Sequence, residues 1–91
     1  AISNLPRRFK ELKSLYQLDL GDNNIKYLPK SLSRLPRLEV LDLSDNQIKK
    51  IPSFAHRMNK LRILDLSGNP LDLEEVNRLR KSLPDCEVIF N

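Results

Sequence analysis

The chain carries the sequence LYQLDLGDNNI at residues 15–25 and repeats its pattern as LEVLDLSDNQI at 38–48 and LRILDLSGNPL at 61–71. Each copy begins 23 residues after the previous one. The intervening segments keep the same spacing, since Pro6, Pro29 and Pro52 each follow a leucine or isoleucine at an equivalent position. Three copies in phase indicate a repeat architecture, in which each unit buries its apolar face against its neighbours.

Within each copy, apolar and polar residues alternate at a period of two. Leu18 and Leu20, for example, alternate with Gln17 and Asp19. This alternation predicts a β-strand with one buried face and one face in water. Proline fixes φ and cannot donate to a sheet ladder, so we expect the repeated prolines to begin the segment on the opposite side of each coil.

These motifs resemble the LxxLxLxxNxL signature of leucine-rich repeats, and the LPxxLxxLxxL half resembles the 23-residue, LP-containing class of that family. The resemblance covers essentially the whole chain. It implies an α/β fold, a right-handed leucine-rich repeat solenoid with a parallel concave sheet of about four strands and short helical or extended convex segments. We therefore expect one domain over residues 1–91. Its predicted parts are a partial N-terminal repeat at 1–14, repeats at 15–37, 38–60 and 61–83, and a C-terminal capping strand at 84–91.

The third repeat departs from the pattern, because LDLEEVNRLRKSL replaces the LP segment. Apolar residues at helical spacing predict an amphipathic helix with Leu73, Val76, Leu79 and Leu83 on one face. Asp72 and Glu75 are spaced as a capping box at its start, and Pro84 ends it. The last residues, CEVIF, alternate as a final strand, with Cys86, Val88 and Phe90 facing inward.

An asparagine recurs where each strand ends. Asn23, Asn46 and Asn69 occupy equivalent positions, and an asparagine amide can satisfy backbone groups that a turn leaves unpaired. We interpret them as a structural asparagine ladder inside the coil rather than as a binding site.

A stripe of carboxylates is predicted on the solvent face of the sheet. Asp19, Asp42 and Asp65 should stand side by side about 4.8 Å apart, with Glu87 as the next member. Such a stripe costs stability unless it meets cations, hydrogen-bond donors or a basic partner. The alternative is that these aspartates belong to a common family consensus and bond locally to serines and backbone. Asp22, Asp45 and Glu39 reinforce the acidic character of the face.

A rigid parallel sheet suits recognition, because a partner can bind it without ordering the receptor. The leading hypothesis is a protein-interaction module that binds a basic partner protein or peptide, with Val40 and Ile63 as apolar anchors. The alternative is a structural or self-assembling repeat unit, or a designed or fragment scaffold without a specific ligand. The candidate partner-binding residues are Gln17, Asp19, Gly21, Asp22, Glu39, Val40, Asp42, Ser44, Asp45, Ile63, Asp65 and Ser67.

Most cations are assigned to convex segments or loops, which makes the molecule electrically two-faced despite its formal net charge of +4. Nucleic-acid binding would need a concentrated basic groove with stacking aromatics, and only Tyr16 and Tyr27 are candidate stackers. We therefore expect a solvated convex surface, with no nucleic-acid or membrane partner. The cations concerned are Arg7, Arg8, Lys10, Lys13, Lys26, Lys30, Arg34, Arg37, Lys49, Lys50, Arg57 and Lys60.

Catalysis is not expected. The single histidine, His56, and the single cysteine, Cys86, fall on different surfaces and have no visible partner in the sequence. Gly21 and Gly68 are the only glycines, so a phosphate-binding loop is missing, and no zinc ligand set is present. We predict a protein that is not an enzyme and uses no catalytic residue, cofactor or metal.

Two further expectations concern location and assembly. A single cysteine and no signal-like apolar core favour a cytoplasmic protein, although a cleaved signal would leave no trace and an exported or surface location stays open. At the N-terminus, Ile2, Leu5, Phe9 and Leu12 form a convex segment with no strand before it. The strand around Leu18 is therefore predicted to be an exposed edge, either cut from a longer array or covered in a homodimer through the N-terminal edge.

Overall fold

The computed structural model describes residues 14–91. The N-terminal convex segment predicted around Leu5 and Phe9 lies outside these residues. The exposed N-terminal edge and the homodimer inferred from it therefore stay predictions.

Four strands form one parallel sheet, in the spatial order in which they occur along the chain. They are β1 (Gln17–Asp19), β2 (Val40–Asp42), β3 (Ile63–Asp65) and β4 (Glu87–Ile89). Each strand is short, but the backbone pairing continues beyond it, for instance from the Leu20 N–H to the Asp42 carbonyl at 2.8 Å. The predicted parallel sheet of about four strands is confirmed.

Short helical segments lie on the other side of each coil. Two 3₁₀ helices span Lys30–Arg34 and Ser53–Arg57, and the longer helix α1 spans Leu73–Ser82. Pro29 and Pro52 immediately precede the 3₁₀ helices, with φ of −74° and −69° and extended ψ. The prolines thus begin the convex segments, because their fixed φ suits both an extended residue and a helix entry.

The core lies between the sheet and the convex segments. Leu41 pairs in register with Leu18 and Leu64, and the row ends at Val88 on β4. Leu41, Leu64 and Val88 are buried, while Leu18 is half-buried and packs against the same cluster. The inward face of every strand therefore contributes to one continuous core, as the alternation predicts.

The start of α1 differs in two ways from the sequence prediction. Asp72 caps the helix by accepting from the Glu74 N–H at 3.1 Å, but Glu75 does not complete a capping box. Its Oε1 accepts instead from the N–H of Ile51 at 2.6 Å and so joins α1 to the preceding coil. Leu73 is 55% exposed, because the first helical residue lies beyond the strip of helix that faces the core.

Helix α1 also contacts the last strand through Arg80. Its Nε and Nη2 both donate to the Val88 carbonyl, at 3.2 and 2.9 Å. Cys86 and Phe90 are half-buried against the core, and Val88 between them is buried. The inward direction predicted for these three side chains is confirmed.

Burial, with the nearby charge of Glu87, raises the pKa of the Cys86 thiol from 9.0 to about 11. At pH 9 the folded chain should therefore react with iodoacetamide more than about tenfold more slowly than the urea-unfolded chain, because the thiolate is the reactive form. As pH rises, the thiol of the unfolded chain loses its proton first, from about pH 9.0. The contribution of Cys86 to the free energy of unfolding is therefore fully present below pH 9.0 and is lost as pH rises towards 11. Equal alkylation rates for the folded and unfolded chains at pH 9 would contradict this environment.

Candidate interaction surface

The outward side chains of the four strands form what we call the concave face. One row across the sheet contains Gln17, Val40, Ile63 and Glu87, and a second contains Asp19, Asp42, Asp65 and Ile89. Neighbouring residues of a row are separated by the strand spacing of about 4.8 Å. The face therefore sets a partly apolar row directly beside a row of carboxylates.

Glu87 was predicted to extend the aspartate stripe, and this is wrong. It pairs with Ile63, whereas Ile89 pairs with Asp65. The step from Ile63 to Glu87 is 24 residues rather than 23, so β4 is displaced by one position from the repeat spacing. Because outward residues recur every second position, alternation alone does not decide which outward row a residue joins.

The aspartates are held by donors two residues further along the chain. Asp42 Oδ1 accepts from the backbone N–H of Ser44 at 2.9 Å and from its hydroxyl at 2.7 Å. Asp65 Oδ1 makes the same pair of bonds with Ser67, at 3.0 and 2.6 Å. The local bonding that the consensus interpretation predicted is therefore present, and it offsets part of the repulsion between the carboxylates.

The first aspartate of the row has a simpler environment. Among residues 14–91, Asp19 Oδ1 accepts only from the backbone N–H of Gly21, at 3.0 Å, because glycine replaces the serine of the later repeats. Gly21 therefore adds no side chain to the outward row that continues through Ser44 and Ser67. Within residues 14–91, the hydrogen bonds to all three aspartates go to Oδ1, and Oδ2 has no donor.

Two more carboxylates stand at the turn that follows the strands. Asp22 and Asp45 are exposed and adopt left-handed backbone with φ of 58° and 55°, a conformation that aspartate tolerates better than most residues. Gly68 takes this position in the third repeat, with φ of 73°, and a side chain there would collide with Asp45. The acidic character is therefore concentrated where the strands end.

The beginning of the strands is less acidic than the sequence suggested. Glu39 Oε1 lies 3.1 Å from Nε of Arg62, and both side chains are largely exposed. Arg62 was not predicted to lie on this side, although it is the repeat equivalent of Glu39. The pair contributes little stability, but it cancels the charge of Glu39.

Val40 and Ile63 occupy neighbouring positions of the first row. Val40 is half-buried and Ile63 is 37% exposed, so both offer apolar surface at the centre of the sheet. Gln17 precedes them and Glu87 follows them in the row. This is the small apolar patch beside carboxylates that the sequence predicted.

The asparagines behave as the predicted structural ladder. Asn46 is buried, and its amide donates to the carbonyls of Leu20 and Leu43, both at 3.0 Å. Its Oδ1 accepts from the N–H of Ile25 at 3.0 Å. Asn69 repeats these contacts one coil later, and Asn23 donates to backbone carbonyls of its own turn. Each amide thus satisfies backbone groups that the turn leaves unpaired.

His56 has a partner that the sequence did not reveal. Its Nδ1 lies 2.6 Å from Oγ of Ser82 on α1, and that hydroxyl also lies 3.1 Å from the Arg78 carbonyl. The contact joins two convex segments, the second 3₁₀ helix and α1. In the described part of the chain, no three His, Cys, Asp or Glu side chains converge to hold a metal, and no helix is long and apolar enough to cross a bilayer.

Comparison with known proteins agrees with this geometry. A leucine-rich repeat family model matches residues 2–48 and 14–71, and a second matches residues 60–86. A leucine-rich repeat protein of Leptospira interrogans has 37% identity and a TM-score of 0.86, and an internalin of Listeria monocytogenes has 27% identity and a TM-score of 0.76. The alignments cover 94% and 90% of this chain but only 22% and 23% of those proteins. A search of curated proteins gave no match.

The chain belongs to the leucine-rich repeat family, and its fold is the leucine-rich repeat solenoid. Proteins of this architecture are typically non-enzymatic modules that bind other proteins. The chain is a repeat module of this architecture.

Proposed function

We propose that the chain binds a basic segment of a partner protein through the concave face. The observation that carries this proposal is the arrangement of the two rows, in which Val40 and Ile63 lie beside Asp42 and Asp65 in strict register. Apolar contact would supply affinity, and the carboxylates would select a partner with lysine or arginine beside its own apolar residues.

The hydrogen bonds of the aspartates support this reading. Ser44 and Ser67 fix one oxygen of Asp42 and Asp65, so the second oxygen is presented in a defined direction. A preorganised carboxylate loses little side-chain freedom on binding, and more of the interaction appears as affinity. The same serines therefore serve both the folded chain and the proposed surface.

The test begins with a pull-down that identifies a partner, followed by affinity measurements with that partner. Asp42→Asn together with Asp65→Asn removes two charges but keeps an oxygen for the serine donors. We expect this pair of changes to weaken binding by about tenfold, equivalent to about 1.4 kcal/mol. Binding should also weaken as salt rises, because dissolved ions screen the attraction between the carboxylates of the concave face and a basic partner.

The matched control is Glu74→Gln, which removes an exposed carboxylate from α1 on the convex side. It should leave the affinity unchanged. Asp42→Lys should abolish binding of the same partner. The acidic face would be removed from the proposal if the affinity for the partner were unchanged by salt, by the paired asparagine changes and by Asp42→Lys. If the wild type instead captures only itself, the self-assembling alternative replaces it.

A further inference from the structure

A second, basic concavity lies on the flank of the solenoid, between the asparagine turns and the convex segments. Lys26, Tyr27, Gln47, Lys49 and Lys50 line it, and its volume is about 440 Å³. Tyr27 is 83% exposed. The two coils that form it are joined by a hydrogen bond from the Gln47 N–H to the Ile25 carbonyl, at 2.9 Å. We call these five lining residues the basic flank.

The repeat places like charges side by side in the basic flank. Lys26 and Lys49 are equivalent residues of neighbouring coils, and Tyr27 is equivalent to Lys50. Both lysines are exposed and lie on neighbouring coils, so an anion placed between them would interact favourably with both charges. Asp72 takes the equivalent position in the third repeat, which ends the basic stretch.

The charges of the basic flank have no carboxylate partner in the part of the chain that the structure describes. No carboxylate lines the concavity, and across residues 14–91 none of its three lysines has an ion-pair partner. A larger concavity of about 630 Å³ at the other edge of the strands differs in this respect. Arg62 there is paired with Glu39, and Asp85 lies among the lining residues. Compared with that larger concavity, the basic flank therefore collects positive charge without a carboxylate to compensate it.

We propose that the basic flank binds a ligand that carries two or more adjacent phosphate groups. Lysine ammonium groups act as point charges that suit clustered phosphate oxygens, whereas the flank has no arginine for bidentate recognition of a single carboxylate or phosphate. The Gln47 amide and the Tyr27 hydroxyl add neutral donors. The volume lies in the range of about 300 to 1,000 Å³ that small-molecule sites occupy.

The experiment titrates the ¹⁵N-labelled chain with sodium tripolyphosphate and with orthophosphate at constant ionic strength. Tripolyphosphate should shift the amide signals of the five lining residues and bind at least about tenfold more tightly than orthophosphate. Lys49→Gln with Lys50→Gln should weaken tripolyphosphate binding by about tenfold or more, or about 1.4 kcal/mol. The control, Lys60→Gln with Lys81→Gln, removes the same charge from exposed sites elsewhere and should change the affinity less than twofold.

Equal weakening by the two double variants would show general charge screening and overturn the proposal. Equal affinity for tripolyphosphate and orthophosphate would also overturn it, as would unchanged amide signals at the five lining residues. Sedimentation with phosphatidylcholine vesicles, with and without a phosphoinositide, identifies the source of the phosphates. Selective sedimentation with the phosphoinositide vesicles assigns a lipid headgroup. Tripolyphosphate binding without sedimentation assigns a soluble ligand.

Discussion

Replacing Leu41 by alanine should lower the free energy of unfolding by about 2 to 5 kcal/mol, the usual cost of a buried leucine-to-alanine change. Leu41 is 2% exposed and lies at the centre of the inward row, between Leu18 and Leu64. The cavity would open in the central coil, which packs against a coil on each side. Urea unfolding followed by circular dichroism measures the loss, which is a large part of the stability of so small a domain.

The neighbouring residue of the same strand provides the control. Val40 is half-buried and faces the concave side, so Val40→Ala should lower the free energy of unfolding by less than about 1 kcal/mol. Both changes remove apolar carbon from β2, but only one leaves a cavity. A larger loss for Val40→Ala than for Leu41→Ala would mean that the inward and outward faces of the strand are reversed.

Much of the fold follows from two periods in the sequence. The 23-residue spacing places Leu18, Leu41 and Leu64 in one row, and the period of two decides which residues face the core. Both periods are local properties of the chain, so they are readable without a structure. The positions of the prolines and the asparagines follow from the same register.

The remaining details depend on contacts between coils, which neither the 23-residue spacing nor the period of two predicts. The extra residue before β4 moves Glu87 out of the aspartate row, and nothing in the alternation signals the shift. Glu75 had two candidate donors and bonds to Ile51 on the preceding coil rather than to its own helix end. Such choices depend on where neighbouring coils place their backbone groups, which a sequence pattern does not specify.

The candidate surface, too, was predicted only in part from the sequence. The strand register brings together the aspartates and the apolar pair Val40 and Ile63 as predicted. Side-chain pairing changes the charge of the surface, because Arg62 neutralises Glu39. The negative charge of the concave face is therefore concentrated at the ends of the strands and in the turns that carry Asp22 and Asp45.

Replacing Asn46 by alanine should destabilise the chain by about 3 kcal/mol or more, although the change removes few apolar atoms. The amide of Asn46 satisfies the N–H of Ile25 and the carbonyls of Leu20 and Leu43, and the residue is only 6% exposed. Each buried polar group left without a partner costs about 1 to 3 kcal/mol. The loss spans two coils, because Leu20 and Ile25 belong to the repeat before Asn46. Urea unfolding of the variant measures it.

Asn24→Ala is the matched control, since Asn24 is an exposed asparagine in the preceding turn and should tolerate the change within about 0.5 kcal/mol. Hydrogen exchange adds a local measurement, because the Ile25 amide loses its acceptor in Asn46→Ala and should exchange faster than the amide of Ile48, which bonds to Asn69. Similar stability losses for the two variants, with the Ile25 amide still protected, would mean that Asn46 is an ordinary turn residue rather than a link between coils. A selective loss at Asn46 would instead show that the coils are joined by side-chain amides as well as by leucine packing.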